Sequence, residues 1–209
     1  MNKRDFFRAG GALSALGVLS LTSVSSLSSA TYRTKNSNPI PNLGPTLLTV
    51  TGLIGKTNRG PLDPSIDQMM FKQKLKFDKA YAFDFSALHN LPKVRIVTIK
   101  PTLEYDNKEH TLSGPLLFDV LKHVGAKLSE QSKIVLRAID GYAVIINLEQ
   151  LKKYRFILAT HIDQQPLALG GLGPVWAVFD ADRIAEFASK PVNERFALCP
   201  WGVYHIDVV

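Results

Sequence analysis

One run in this chain carries a sustained helical period, and it stands almost alone. Within Thr111–Lys127, the residues Leu116, Leu117, Val120, Leu121 and Val124 recur at three-to-four spacing, the mark of a helix burying one stripe. Ser113 stands where a cap is expected, Pro115 where a first-turn proline is tolerated, and Gly125 where the helix should stop. Nearly every other apolar run is short and strand-like: Thr46–Gly52, Lys79–Phe85, Lys93–Ile99, Lys133–Ile139, Tyr142–Asn147, Tyr154–Thr160, Pro174–Phe179 and Val203–Val209. Turn residues separate them, as Ser86–Asn90 does ahead of Leu91-Pro92 and Asp140-Gly141 between two strands. Leu148–Lys153 reads as one or two helical turns and Ala181–Ser189 as a short helix. Many strands, few helices and no regular strand–helix alternation specify a single mixed α/β (α+β) domain with several sheets.

Length agrees: 209 residues is a one-domain chain with attachments. The attachment is N-terminal. Lys3, Arg4 and Arg8 form a basic head, Ala9–Leu21 an apolar core, and Ser28-Ser29-Ala30 a small-residue cleavage site, so residues 1–30 read as a secretory signal peptide and the mature chain as periplasmic. Lys3-Arg4-Asp5-Phe6-Phe7-Arg8 resembles a twin-arginine export signal with Lys in the first Arg position. Residues 31–45, rich in proline and polar groups, read as an extended leader, and 46–209 as the domain. Without residues 1–30 the chain keeps 22 basic and 17 acidic groups, net +5. That is too mild for a nucleic-acid binder, and Lys72, Lys74, Lys76 and Lys79 read as a solvated edge or surface strand.

The chemistry-bearing residues are sparse. His89, His110, His123, His161 and His205 form no local metal-binding spacing. His123 sits beside the apolar stripe and reads as structural. Ser86, Ser113 and Ser132 lie in no nucleophile elbow. Cys199 is the lone cysteine, which excludes an internal disulfide, and it reads as buried and inert. Two stretches remain. Arg137–Tyr142 places Asp140 at an Asp-Gly turn, either plain hairpin chemistry or a carboxylate facing a ligand, with Tyr142 beside it. Gln165–Trp176 carries Gly170, Gly171 and Gly173 before a strand. It is either a wide turn or a loop whose backbone meets an oxyanion or a heterocycle edge.

The blocks LTVTG, FDFSALHNLP, TLSGPLLFDVLKHVGA, VLRAIDGYAVIINLEQL and FILATHIDQQPLALGGLGPVWAVFD, in that order over residues 46–209, resemble the molybdopterin-binding domain of the sulfite oxidase family. That resemblance implies a mixed α/β fold of several sheets with a pterin held against loops at their ends. The family's enzymes hold molybdenum with a cysteine in the interval that here reads KVRIVTIKPTLEYDNKEHTLSG, which has none. The short exported form is similar to periplasmic pterin-binding proteins associated with control of membrane-bound cyclic-di-GMP synthases and phosphodiesterases. The resemblance therefore implies a noncatalytic pterin binder that touches the periplasmic domain of such an enzyme, with molybdenum not expected. Two alternatives stand beside it: a molybdopterin-dependent oxidoreductase or accessory subunit, and an interaction domain with a decayed pocket. A pterin's amino-substituted edge pairs with a carboxylate and its face with an aromatic ring. The expected ligand set is thus Asp140, Tyr142 and Trp176, with the backbones of Gly171 and Gly173, and Arg95 and Arg137 for a ring oxygen or side-chain anion.

Overall fold

The last strand of the described chain lies beside the first, in the middle of the main sheet. The computed structural model describes residues 44–99 and 108–209, the side chains of 94–99 apart. Residues 1–30, expected to be a signal peptide, and all but the last two residues of the expected leader lie outside the described residues.

Seventeen helices and strands follow in order: β1 (Leu48–Gly52), α1 (Gln68–Lys72), β2 (Tyr81–Phe83), α2 (Phe85–His89), β3 (Lys93–Ile99), β4 (His110–Pro115), α3 (Leu117–His123), β5 (Lys133–Ala138), β6 (Ala143–Asn147), α4 (Leu148–Tyr154), β7 (Ile157–Ala159), β8 (His161–Ile162), β9 (Gln165–Pro166), β10 (Trp176–Val178), α5 (Ala185–Ala188), α6 (Val192–Arg195) and β11 (Val203–Val208). A 3-10 turn, Ala181–Arg183, precedes α5. The main sheet runs β2-β1-β11-β5-β6, a second runs β3-β4-β8-β9, and β10 pairs with β7. This is the mixed α/β class expected, with several sheets and short helices.

Alternation explains the main sheet. Leu48, Val50, Ile134, Leu136, Val144, Ile146, Ile206 and Val208 face one side and join the core with the stripe of α3. Thr49, Thr51, Arg137, His205 and Asp207 take the other side, in register across β1, β11 and β5. Residues 55–79 pass over that polar face. Met70 and Leu75 pack with Tyr204 in a small cluster beside Leu62 and Phe77, and the Phe77 ring stacks on His205 at 6.5 Å.

Several expected boundaries move. Ser113 and Pro115 are not the start of a helix but the end of β4, paired with β3 and β8. The chain there is committed to a strand because Gly114 presses against the Leu158 carbonyl, where a Cβ would overlap it. Helix α3 begins only after Leu116. The strand expected over Lys79–Phe85 stops at Phe83, because Asp84 caps α2 by accepting from Ala87 N–H at 2.7 Å. The lysine run is no strand either: Lys72 ends α1, and Lys74 takes a left-handed turn at φ 61°. The helix expected over 181–189 divides into the 3-10 turn and α5. Among the described residues, no helix is long and apolar enough to cross a membrane.

Candidate functional site

Gly202 ties together the two stretches that the sequence singles out. Its carbonyl accepts from Ile139 N–H at 3.0 Å, and its N–H donates to Leu172 O at 3.0 Å. The Asp-Gly turn and the glycine loop therefore meet at the start of β11. Beside them opens a cleft of about 480 Å³, lined by Ile139, Leu169, Pro174 and Tyr204 on this side. Across it stand Ile66, Met69, Met70, Asp67 and Arg59 from the covering segment, with Thr49 from β1. Leu169 is 73% exposed and Ile66 66%, so the rim offers bare apolar surface while the polar groups sit deeper.

Each polar group is fixed by a stated contact. Arg59 pairs backbone to backbone with Ala80, and its guanidinium forms an ion pair with Asp67. The same guanidinium lies 5.3 Å from the Phe77 ring centre and donates a long hydrogen bond, 3.4 Å, to Thr49 Oγ1. Asp67 also accepts from Asp63 N–H at 2.9 Å. A cation, a carboxylate and a hydroxyl thus stand at one end of an apolar slot, the composition of a small-molecule site.

The polar face continues under Phe77. The Thr51 hydroxyl donates to Asp207 Oδ1 at 2.8 Å, so at 2.9 Å it accepts from His205 Nε2–H. That assigns the tautomer and leaves Nδ1 as a buried lone pair without a partner among the described residues. Burial first, then the Arg137 and Arg59 guanidinium groups, push the His205 pKa down to about 3. Arg137, opposite His205 in the sheet, also has a buried Nε with no partner among the described residues.

The expected ligand residues are distributed differently. Asp140 is exposed and accepts from Tyr142 N–H at 2.9 Å, closing the turn on itself. Tyr142 is half-exposed, with its hydroxyl donating to Ala197 O at 2.8 Å. Gly171 and Gly173 both turn their N–H groups to Ala168 O, at 3.1 Å each, and a Cβ on Gly173 would sit 2.6 Å from the Leu167 carbonyl. Trp176 does not offer its ring to a ligand: it is 5% exposed in the core, and its indole N–H donates to Cys199 O at 3.0 Å. Arg137 belongs to the polar sheet face. Position 95 lies on β3, and its side chain is outside the described residues. Of the two stretches, only Ile139, Leu169 and Pro174 reach the cleft.

Arg59, Asp67, Thr49 and Tyr204 were not legible as site residues. The signal that was present is PSIDQMMF, residues 64–71, which sets bulky apolar residues inside a turn-rich segment. His123 is structural as expected, 3.1 Å from Tyr81 OH, its pKa lowered by burial and Lys56. Cys199 is buried as expected, and burial pushes its thiol pKa up to about 12.

No family model matches this chain, and no curated protein sequence matches it. Among solved structures it is similar to the sulfane dehydrogenase SoxCD from Paracoccus pantotrophus, at a TM-score of 0.48 and 13% sequence identity. The match covers 77% of this chain and 37% of that one, so this chain spans well under half the length of its structural neighbour.

Proposed function

We propose that this chain is a noncatalytic periplasmic pterin-binding protein that regulates a membrane-bound cyclic-di-GMP synthase or phosphodiesterase through that enzyme's periplasmic domain. The observation that carries the ligand reading is the cleft where the Asp-Gly turn and the glycine loop converge. Its volume lies within the range of small-molecule sites. Its walls suit a flat bicycle, and Arg59, Asp67 and Thr49 suit that bicycle's donor and acceptor edge. The partner and the compartment rest on the family resemblance and on the export signal.

A molybdenum centre held by thiolate does not fit the donors this chain has. Cys199 is its one cysteine, and that thiol is buried in the core, outside the lining of the cleft. This favours binding over oxygen-atom transfer.

Calorimetric titration with oxidised and reduced pterins tests the reading. Wild type should bind, and Arg59→Met should bind about tenfold to a hundredfold more weakly, the loss of one charge-assisted hydrogen bond. Asp140→Ala should change affinity less, because that carboxylate is engaged in its own turn. Absence of binding by every pterin tried would end this reading.

A further inference from the structure

Two basic side chains four residues apart, His89 and Lys93, meet a third from far along the chain, His161, around the start of β3, and the cleft uses none of them. His89 ends α2, Lys93 opens β3 and His161 opens β8. Phe85, on the same short helix as His89, completes a triangle of rings. Centroid distances are 5.6 Å for Phe85 and His89, 5.6 Å for Phe85 and His161, and 5.8 Å for His89 and His161. The Lys93 ammonium lies against the edge of the His89 ring, 2.8 Å from Nδ1 and 3.0 Å from Nε2. His161 Nδ1 is tied to Thr160 Oγ1 at 2.9 Å, which leaves Nε2 for another partner.

Among the described residues, no carboxylate pairs with any of these three groups. The fold therefore gathers basic groups around one ammonium with no described counter-charge, and the gathering is felt. After burial, Lys93 and His89 are what lower the His161 pKa. Phe85 stays 38% exposed beside the cluster, an apolar wall next to the basic groups.

We propose that Lys93, His89 and His161 form a binding site for a phosphate-class oxyanion, and that Phe85 covers the face of a planar ring that carries it. An ammonium and imidazole N–H groups supply charge-assisted donors to phosphate oxygens. The anion supplies the counter-charge that the cluster lacks. This site shares no lining residue with the cleft and stands whether or not the cleft binds a pterin.

The test follows the histidine ring signals by proton–nitrogen NMR at constant pH, with His123 as the internal reference. Inorganic phosphate should move the His89 and His161 signals saturably, and sodium chloride at equal ionic strength should not. Lys93→Met, a change at an exposed side chain, should weaken phosphate binding by about fivefold. Phenyl phosphate should bind more tightly than inorganic phosphate, and Phe85→Ala should abolish that difference. Shifts that track ionic strength alone, or wild-type phosphate affinity in Lys93→Met, would overturn the oxyanion site. A phenyl phosphate advantage that survives Phe85→Ala would overturn the role of the ring wall.

Discussion

His205 makes a buried base out of three ordinary residues. Asp207 orients the Thr51 hydroxyl, Thr51 holds Nε2–H, and the ring stays neutral to about pH 3. In the unfolded chain the same ring takes a proton near pH 6.5. Below that pH the unfolded state binds the extra proton, so stability falls as pH drops from 6.5 towards 3. The slope from this one group reaches about 1.4 kcal/mol per pH unit. Denaturant unfolding at stepped pH should show His205→Gln losing stability less steeply than wild type across that window; parallel slopes would refute the assignment. A second prediction concerns Gly114. Its Cα lies against the Leu158 carbonyl with no room for a methyl group, so Gly114→Ala should cost about 3 kcal/mol or more by forcing β4 off β7. The unfolding midpoint measures it, and a loss below about 1 kcal/mol would contradict the packing described. Neither residue shows this in the sequence. His205 is one histidine in a terminal strand, and Gly114 passes for helix punctuation, because what constrains each comes from strands far away along the chain.

At the scale of elements, local patterns were read correctly where one face is polar. β1, β5, β6 and β11 alternate because one side packs on the core and the other meets hydroxyls, charges or water. The Asp-Gly turn between β5 and β6 followed from its dipeptide. The capping box of α4 was available too: Asn147 Oδ1 accepts from Gln150 N–H at 2.8 Å, and Gln150 Oε1 accepts from Asn147 N–H at 3.0 Å. Asn147→Ala should cost about 1 kcal/mol by chemical denaturation, while Leu121→Ala, inside the stripe of α3, should cost about 2–5 kcal/mol. Equal losses would mean that the stripe is not packed as described. Patterns failed where both faces are apolar. Every residue of β7 and β10 is buried, so Trp176 carried no mark distinguishing a core ring from a ligand-facing one. They failed again at Ser113-Gly114-Pro115, a local imitation of a helix start that pairing with β3 and β8 overrides.

For the molecule as a whole, the cleft depends on cooperation between the sheet and the segment that crosses its polar face. The sequence showed two of the loops at its rim but not the partner wall, since no local pattern says where residues 55–79 come to rest. A ligand that bridges both walls should stabilise the entire fold. At a hundredfold excess over its dissociation constant, pterin should add about 2.7 kcal/mol, read as a thermal shift that Arg59→Met and Leu169→Asp both reduce. By linkage, any factor by which pterin strengthens partner engagement must equally strengthen pterin binding. The sheet order has a further consequence, for the timing of folding. β11 supplies the neighbour of both β1 and β5, so a ribosome-bound chain lacking Val203–Val208 has two half-sheets with open edges and no seam to join them. Folding of the main sheet must therefore wait until Val203–Val208 has left the ribosome, however early its other four strands emerge.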